Sequence, residues 1–170
     1  KNIINLFNII KLFKVSKDKL NTRDYISRFE HANNITISNN SLQELCKHEK
    51  ILYRKFHNLN QIEVIQYISD IKLDILINAG GGIFKKNIIN SLSLGILNAH
   101  MGFLPDFRGM NVMEWSLFYN REIGVSLHFI DHGIDTGDIL IFKKIHIEKN
   151  DTIADLRNKS VVISFELFVD

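Results

Sequence analysis

The chain has 170 residues, 45% hydrophobic and 24% charged, which suits one soluble domain with a sizeable core. No apolar run reaches the roughly 18 residues that cross a bilayer, and the single Cys46 excludes an internal disulfide. The net charge is only +2, but residues 1–60 carry 11 Lys and Arg against 5 Asp and Glu, while the remainder carries 10 against 14.

Residues 2–14 place polar groups at every third position beside a wide apolar face, which predicts a helix. It packs on a sheet or lies on a membrane surface. Its polar breaks at Asn5, Asn8 and Lys11 exclude a secretory signal, so a cytoplasmic location is expected. The basic front is a solvated face or meets phosphates or an acidic partner. Residues 15–32 are poorly patterned, and 34–38 read as a short strand. Ser38 to Ser41 offer caps for a helix bearing Leu42, Leu45 and Cys46 on one face. Cys46 reads there as a small buried apolar side chain.

Ile51–Phe56 alternates loosely as a strand. Asn60 with Glu63 resembles a capping box, followed by Ile62, Ile65 and Ile68 at helical spacing. A strand at Leu73–Asn78 runs into Gly80-Gly81-Gly82, and a short helix over Lys85–Leu92 precedes a strand at Ile96–His100. Asn111 can cap a helix that carries Glu114, Trp115 and Phe118. Gly124–Ile130 alternates cleanly, with Val125, Leu127 and Phe129 on one face and Ser126, His128 and Ile130 on the other. Ile139–Ile147 is a further strand, and Thr152 opens a last helix. Strands alternating with helices predict an α/β domain: an open, mostly parallel sheet with helices on both faces, built as one domain over residues 1–170.

All nine glycines fall between Gly80 and Gly137, and Pro105, the only proline, lies among them. Demanding backbone geometry is therefore concentrated there. Within it, Asn98 and His100 share one face at the end of a strand, where open α/β sheets bind ligands. An amide donor and an imidazole converging there suit a reaction that develops charge on a carbonyl oxygen. Losing one such donor typically costs about 2.7–4 kcal/mol of transition-state stabilisation. A carboxylate from Asp135 would favour a charged imidazole and accept a proton from an attacking amine.

The same stretch carries a resemblance. Asn98-Ala-His100, Leu104-Pro105-Asp-Phe-Arg108-Gly109, Gly124-Val-Ser-Leu-His128 and Asp131-His-Gly133-Ile-Asp135-Thr-Gly137 resemble, in order, the motifs of folate-dependent formyltransferases. That family includes enzymes acting on methionyl-tRNA, glycinamide ribonucleotide and sugar nucleotides. The resemblance implies transfer of a formyl group from 10-formyltetrahydrofolate, a co-substrate, to a primary amine, with Asn98, His100 and Asp135 catalytic. It also implies folate contacts from Gly80, Gly81, Gly82, Leu104, Pro105, Asp131 and Gly133, and acceptor contacts from Arg108 and Gly109. Arg108 suits a carboxylate or phosphate, or ties its loop to backbone carbonyls.

Family members usually begin with a strand, a glycine-bearing turn and a helix. That unit is not visible in this sequence, so a catalytic domain truncated at both ends is expected. The chain also reads Gly102-Phe103 where the family often has Ser-Leu, which removes one hydroxyl from the acceptor side.

A deformylase uses the same residue types with water as acceptor, and a non-catalytic folate- or partner-binding fragment would keep the motif without turnover. The His100, His128, His132, Asp131 and Asp135 group lacks compact metal-ligand spacing, so no metal is expected. The Gly80–Gly82 turn fits no phosphate-binding pattern; close approach to a flat pterin or a plain turn of positive φ explains it.

Overall fold

The computed structural model describes residues 42–48, 50–80 and 82–168. The chain divides into two compact units, Lys1–His57 and Asn58–Asp170, and each is described by itself. The readings over residues 2–14, 15–32 and 34–38, and the caps at 38–41, lie outside the described residues.

In the first unit, helix α1 spans Leu42–His48 and buries Cys46. The Ile51 N–H donates to the Cys46 carbonyl at 2.7 Å, which closes the helix. Ile51–Phe56 forms no strand, and Ile51 and Leu52 are exposed. Its loose alternation finds no neighbouring strand to pair with among the described residues, and alternation alone does not make a sheet.

The second unit runs α2 (Ile62–Asp70), β1 (Ile75–Asn78), α3 (Lys86–Ile89), β2 (Gly95–His100), α4 (Val112–Phe118), β3 (Gly124–Phe129), β4 (Ile139–Lys144) and α5 (Ile153–Glu166). The sheet order is β1-β2-β3-β4. β1 and β2 are parallel, whereas β2–β3 and β3–β4 are antiparallel. The described sheet is therefore mixed, which corrects the expectation of a mostly parallel one. Between β3 and β4 the chain has only residues 130–138 and no helix, too short for a parallel crossover.

Helix starts differ from the sequence reading in the same way. α2 begins after Gln61, with no side-chain cap. The Asn60 carboxamide instead accepts the Lys85 N–H at 2.6 Å and donates to the Ile83 carbonyl at 2.8 Å, pinning the loop after β1. The buried residues of α2 are Val64 and Ile68, one turn apart, while Ile62 is 74% exposed. Asn111 precedes α4 in a left-handed conformation with no capping bond, and Trp115 and Phe118 pack edge-on in an exposed position. Thr152 does open α5, through a reciprocal capping box with Asp155.

The pleat of β2 and β3 divides the sheet. Val125, Leu127 and Leu167 form a buried cluster, with Leu97, Ala99, Ile163 and Phe168 against it, so α5 covers this face. The other face presents Asn98, His100, Ser126 and His128. There the Ser126 hydroxyl donates to the Gly102 carbonyl at 2.6 Å and accepts the Leu104 N–H at 3.1 Å, holding the loop after β2 over the sheet.

Candidate active site

The site is assembled from three strands and two loops. Cross-strand register puts Asn78 opposite Asn98, Asn98 opposite His128, and His100 opposite Ser126. Directly opposed residues on one face touch. The Asn78 amide donates to Asn98 Oδ1 at 2.9 Å, and Asn98 Nδ2 lies 3.0 Å from His128 Nε2. His128 Nδ1 lies 2.8 Å from the Phe129 carbonyl. A carbonyl oxygen cannot donate, so Nδ1 carries the hydrogen and neutral His128 accepts at Nε2. Burial holds the His128 titration below the usual histidine range, outweighing the Phe129 hydrogen bond and the Asp135 charge. The β3–β4 register shifts between Leu127 and His128, beside this row.

His100 is 7% exposed, and its Nε2 donates to the Phe107 carbonyl at 2.8 Å. Its Nδ1 lies 3.4 Å from Asp135 Oδ2, and His128 Nε2 lies 3.6 Å from Asp135 Oδ1. Asp135 Oδ2 also accepts the Gly109 N–H at 2.8 Å, which ties the Arg108-Gly109 loop to the carboxylate. The structure thus brings Asn98, His100 and Asp135 together, with one carboxylate between two imidazoles.

The glycines beside Asp135 work by close approach. A Cβ on Gly137 would meet the Phe129 carbonyl oxygen at 2.0 Å, and one on Gly133 would meet Thr136 Oγ1 at 2.0 Å. The left-handed residue is Asp135 itself, at φ 51. Aspartate tolerates that region better than most residues, and strain of this kind gathers at functional sites. Gly102 is also required by contact, since a Cβ would lie 2.6 Å from Val112 Cγ2 and 2.9 Å from His100 Nε2. The serine usual in the family has no room here unless both Val112 and the imidazole shift.

The remaining predicted residues separate. Gly80 and Gly82 have positive φ and open space where a side chain would stand, so their backbone is approachable. Gly81 lies outside the described residues. Pro105, after a cis peptide bond, and Gly133 are exposed. Leu104 is buried, and its N–H is taken by Ser126. Asp131 accepts the Gly133 N–H at 2.9 Å and the Thr136 hydroxyl, which makes it an organiser of its own loop. Arg108 is exposed and Gly109 is half-buried. An open cleft nearby is lined by Phe84, Lys85, Lys86, Asn87 and His132. Among the described residues no three His, Cys, Asp or Glu side chains are grouped to hold a metal ion.

Sequence reasoning missed Asn78, the Phe107 carbonyl and the bonds made by His128. Asn78 ends β1 and His128 lies one residue before the end of β3, but their shared row follows only from pairing and register.

The second unit is an α/β sheet on which an amide, an imidazole and a carboxylate converge at a strand end. Phosphoribosylglycinamide formyltransferase from Bacillus halodurans shares that fold at a TM-score of 0.64 and 22% identity, covering 86% of this chain and 85% of that one. The formyltransferase PseJ from Anoxybacillus kamchatkensis, solved with a formamido sugar nucleotide and tetrahydrofolate, matches at a TM-score of 0.59 and 20% identity over 75% of this chain and 66% of that one. The family model described as formyl transferase matches residues 13–169, and the chain belongs to that family. Methionyl-tRNA formyltransferase from Finegoldia magna is 32% identical over 112 residues, covering 65% of this chain and 36% of that protein. The Prochlorococcus marinus subsp. pastoris enzyme of the same name is 36% identical over 110 residues, covering 64% and 34%. The chain spans about a third of the length of these relatives.

Proposed function

We propose that this chain transfers a formyl group from 10-formyltetrahydrofolate to a primary amine. The observation that carries the reading is the convergence of Asn98, His100 and Asp135 at the carboxyl end of β2, within 3.4 Å for the His100–Asp135 pair. The amine nitrogen attacks the formyl carbon, and the carbonyl oxygen takes up charge. One hydrogen of the Asn98 NH2 goes to His128; the other has no protein partner among the described contacts and is the oxyanion donor. The amine proton passes to Asp135 and on, through His100, to the folate nitrogen as its bond to the formyl carbon breaks.

His100 faces protein groups through both nitrogens, so donation to a substrate requires exchanging one contact. The 3.4 Å contact to Asp135 is longer than the 2.8 Å bond to Phe107 and is the weaker of the two. On this reading the folate lies against the backbone at Gly80 and Gly82 and the loops at Pro105 and Gly133. The same reading assigns Arg108 and Gly109 to the acceptor, since the exposed guanidinium suits a phosphate or carboxylate. Acceptors named for relatives and fold neighbours are methionyl-tRNA, phosphoribosylglycinamide and an amino-sugar nucleotide.

The test is incubation with 10-formyltetrahydrofolate and each of these amines in turn. Formylated product identifies the acceptor. Formate release without any amine would replace the reading with a deformylase, and binding without turnover would leave a folate-binding module.

A further inference from the structure

We infer that Asn78 is a positioning residue that fixes which way the Asn98 carboxamide faces. The inference rests on the formyl-transfer reading for its effect on rate, but its structural part stands on geometry alone.

A carboxamide is nearly symmetric in shape and opposite in hydrogen-bonding sense at its two ends. Asn98 contributes to an oxyanion only with its NH2 forward; turned by half a rotation, it would present a lone pair to a developing negative charge. Two neighbours remove that freedom. On the β3 side, His128 keeps its hydrogen on Nδ1 for the Phe129 carbonyl, so Nε2 accepts and requires an N–H from Asn98. On the β1 side, Asn78 donates Nδ2–H to Asn98 Oδ1 at 2.9 Å, in the same sense that His128 demands. Asn78 is directly opposite Asn98 in the parallel pair, and both side chains are partly buried, so water competes poorly for either bond. The row Asn78–Asn98–His128 therefore has one hydrogen-bonding sense along its whole length. No other described side chain bonds Asn98 Oδ1.

Two variants with different expected effects test this. Asn78→Asp keeps the shape and replaces the donor with an acceptor. It should turn the Asn98 amide round and lower kcat about 100-fold, the lower end for losing one oxyanion donor, with KM for the formyl donor unchanged. Asn78→Leu removes the bond without imposing the reversed one, and should lower kcat only about fivefold. A readout independent of turnover is the 15N shift of His128 Nε2. It should be acceptor-type in the parent chain and move to donor-type in Asn78→Asp, because a reversed Asn98 offers Nε2 an oxygen.

Near-parental kcat in Asn78→Asp together with an unmoved His128 Nε2 shift would overturn the inference. So would equal losses in both variants that follow a raised KM and a lowered Tm, which mark a structural role only. If the parent chain formylates no amine while the His128 shift responds as stated, the formyl-transfer reading fails and the orienting role of Asn78 is upheld.

Discussion

Leu97 and Asn98 are neighbours in one strand, yet they belong to two different kinds of region. Leu97 turns toward α5 and packs against Val125 and Leu127. Asn98 turns the other way and enters a row of hydrogen bonds from Asn78 to His128. The apolar face is held by area removed from water, which is non-directional and tolerates repacking. The polar face is held by donors and acceptors that must match in sense, and one mismatch leaves a desolvated group without a partner. Damage to the first should lower stability, and damage to the second should lower rate.

The sharpest break in that comparison is expected on the polar face. Asn98→Ala and His100→Ala should each lower formyl transfer by about two to three orders of magnitude, with folate binding kept. Asp135→Asn should fall at least as far, although asparagine still accepts the Gly109 N–H and keeps the loop. Steady-state kinetics beside a folate titration check all three; normal turnover in any variant would remove that residue from the mechanism.

On the apolar face, Leu127→Ala should lower unfolding free energy by about 2–5 kcal/mol, since Leu127 sits in the buried cluster under α5. Turnover per folded molecule should hardly change. A denaturant series read alongside an active-site titration separates the two, and a rate loss without a stability loss would blur the division between the faces.

A pH series sharpens the comparison from within the polar face. His128 titrates below its ordinary value of 6.5 because it is buried. Below that pH the unfolded chain binds a proton that the folded chain refuses, so stability falls as pH drops from there until the lowered folded value is passed. One such group contributes at most about 1.4 kcal/mol per pH unit. His128→Gln should flatten this part of the profile, as measured by denaturant midpoints between pH 7 and acid. An unchanged slope would place the acid sensitivity elsewhere.

The smallest effect belongs to neither face. Arg157 and Glu114 form an exposed ion pair between α5 and α4. Arg157→Ala should cost no more than about 1 kcal/mol and leave turnover unchanged. A larger loss by thermal melting would mean that the pair does more than decorate the surface.

Much of the candidate site was legible because its residues are close in sequence. Asn98 and His100 share a face by simple alternation, and Asp135 follows in a short loop crowded with glycines. Other parts were legible only in outline. The glycines beside Asp135 read as sources of backbone freedom, but contact distances make Gly133 and Gly137 necessary and put the left-handed turn on Asp135. Asn60 read as a helix cap, because a cap and a loop brace use the same carboxamide and only position in space separates them.

By itself the sequence determined where the strands of the second unit lie, which residues of Gly124–Phe129 face together, and that Thr152 opens the last helix. These are local matters of period, capping and turn chemistry. Only the tertiary structure decided that β3 runs antiparallel to β2. The 23 residues between them are long enough for either direction, and the choice depends on which faces can be buried. That choice, with the register of β1, set His128 and Asn78 on either side of Asn98. Alternation says which face a residue occupies, but its partner across the sheet depends on strands up to 30 positions away, and no local pattern encodes that.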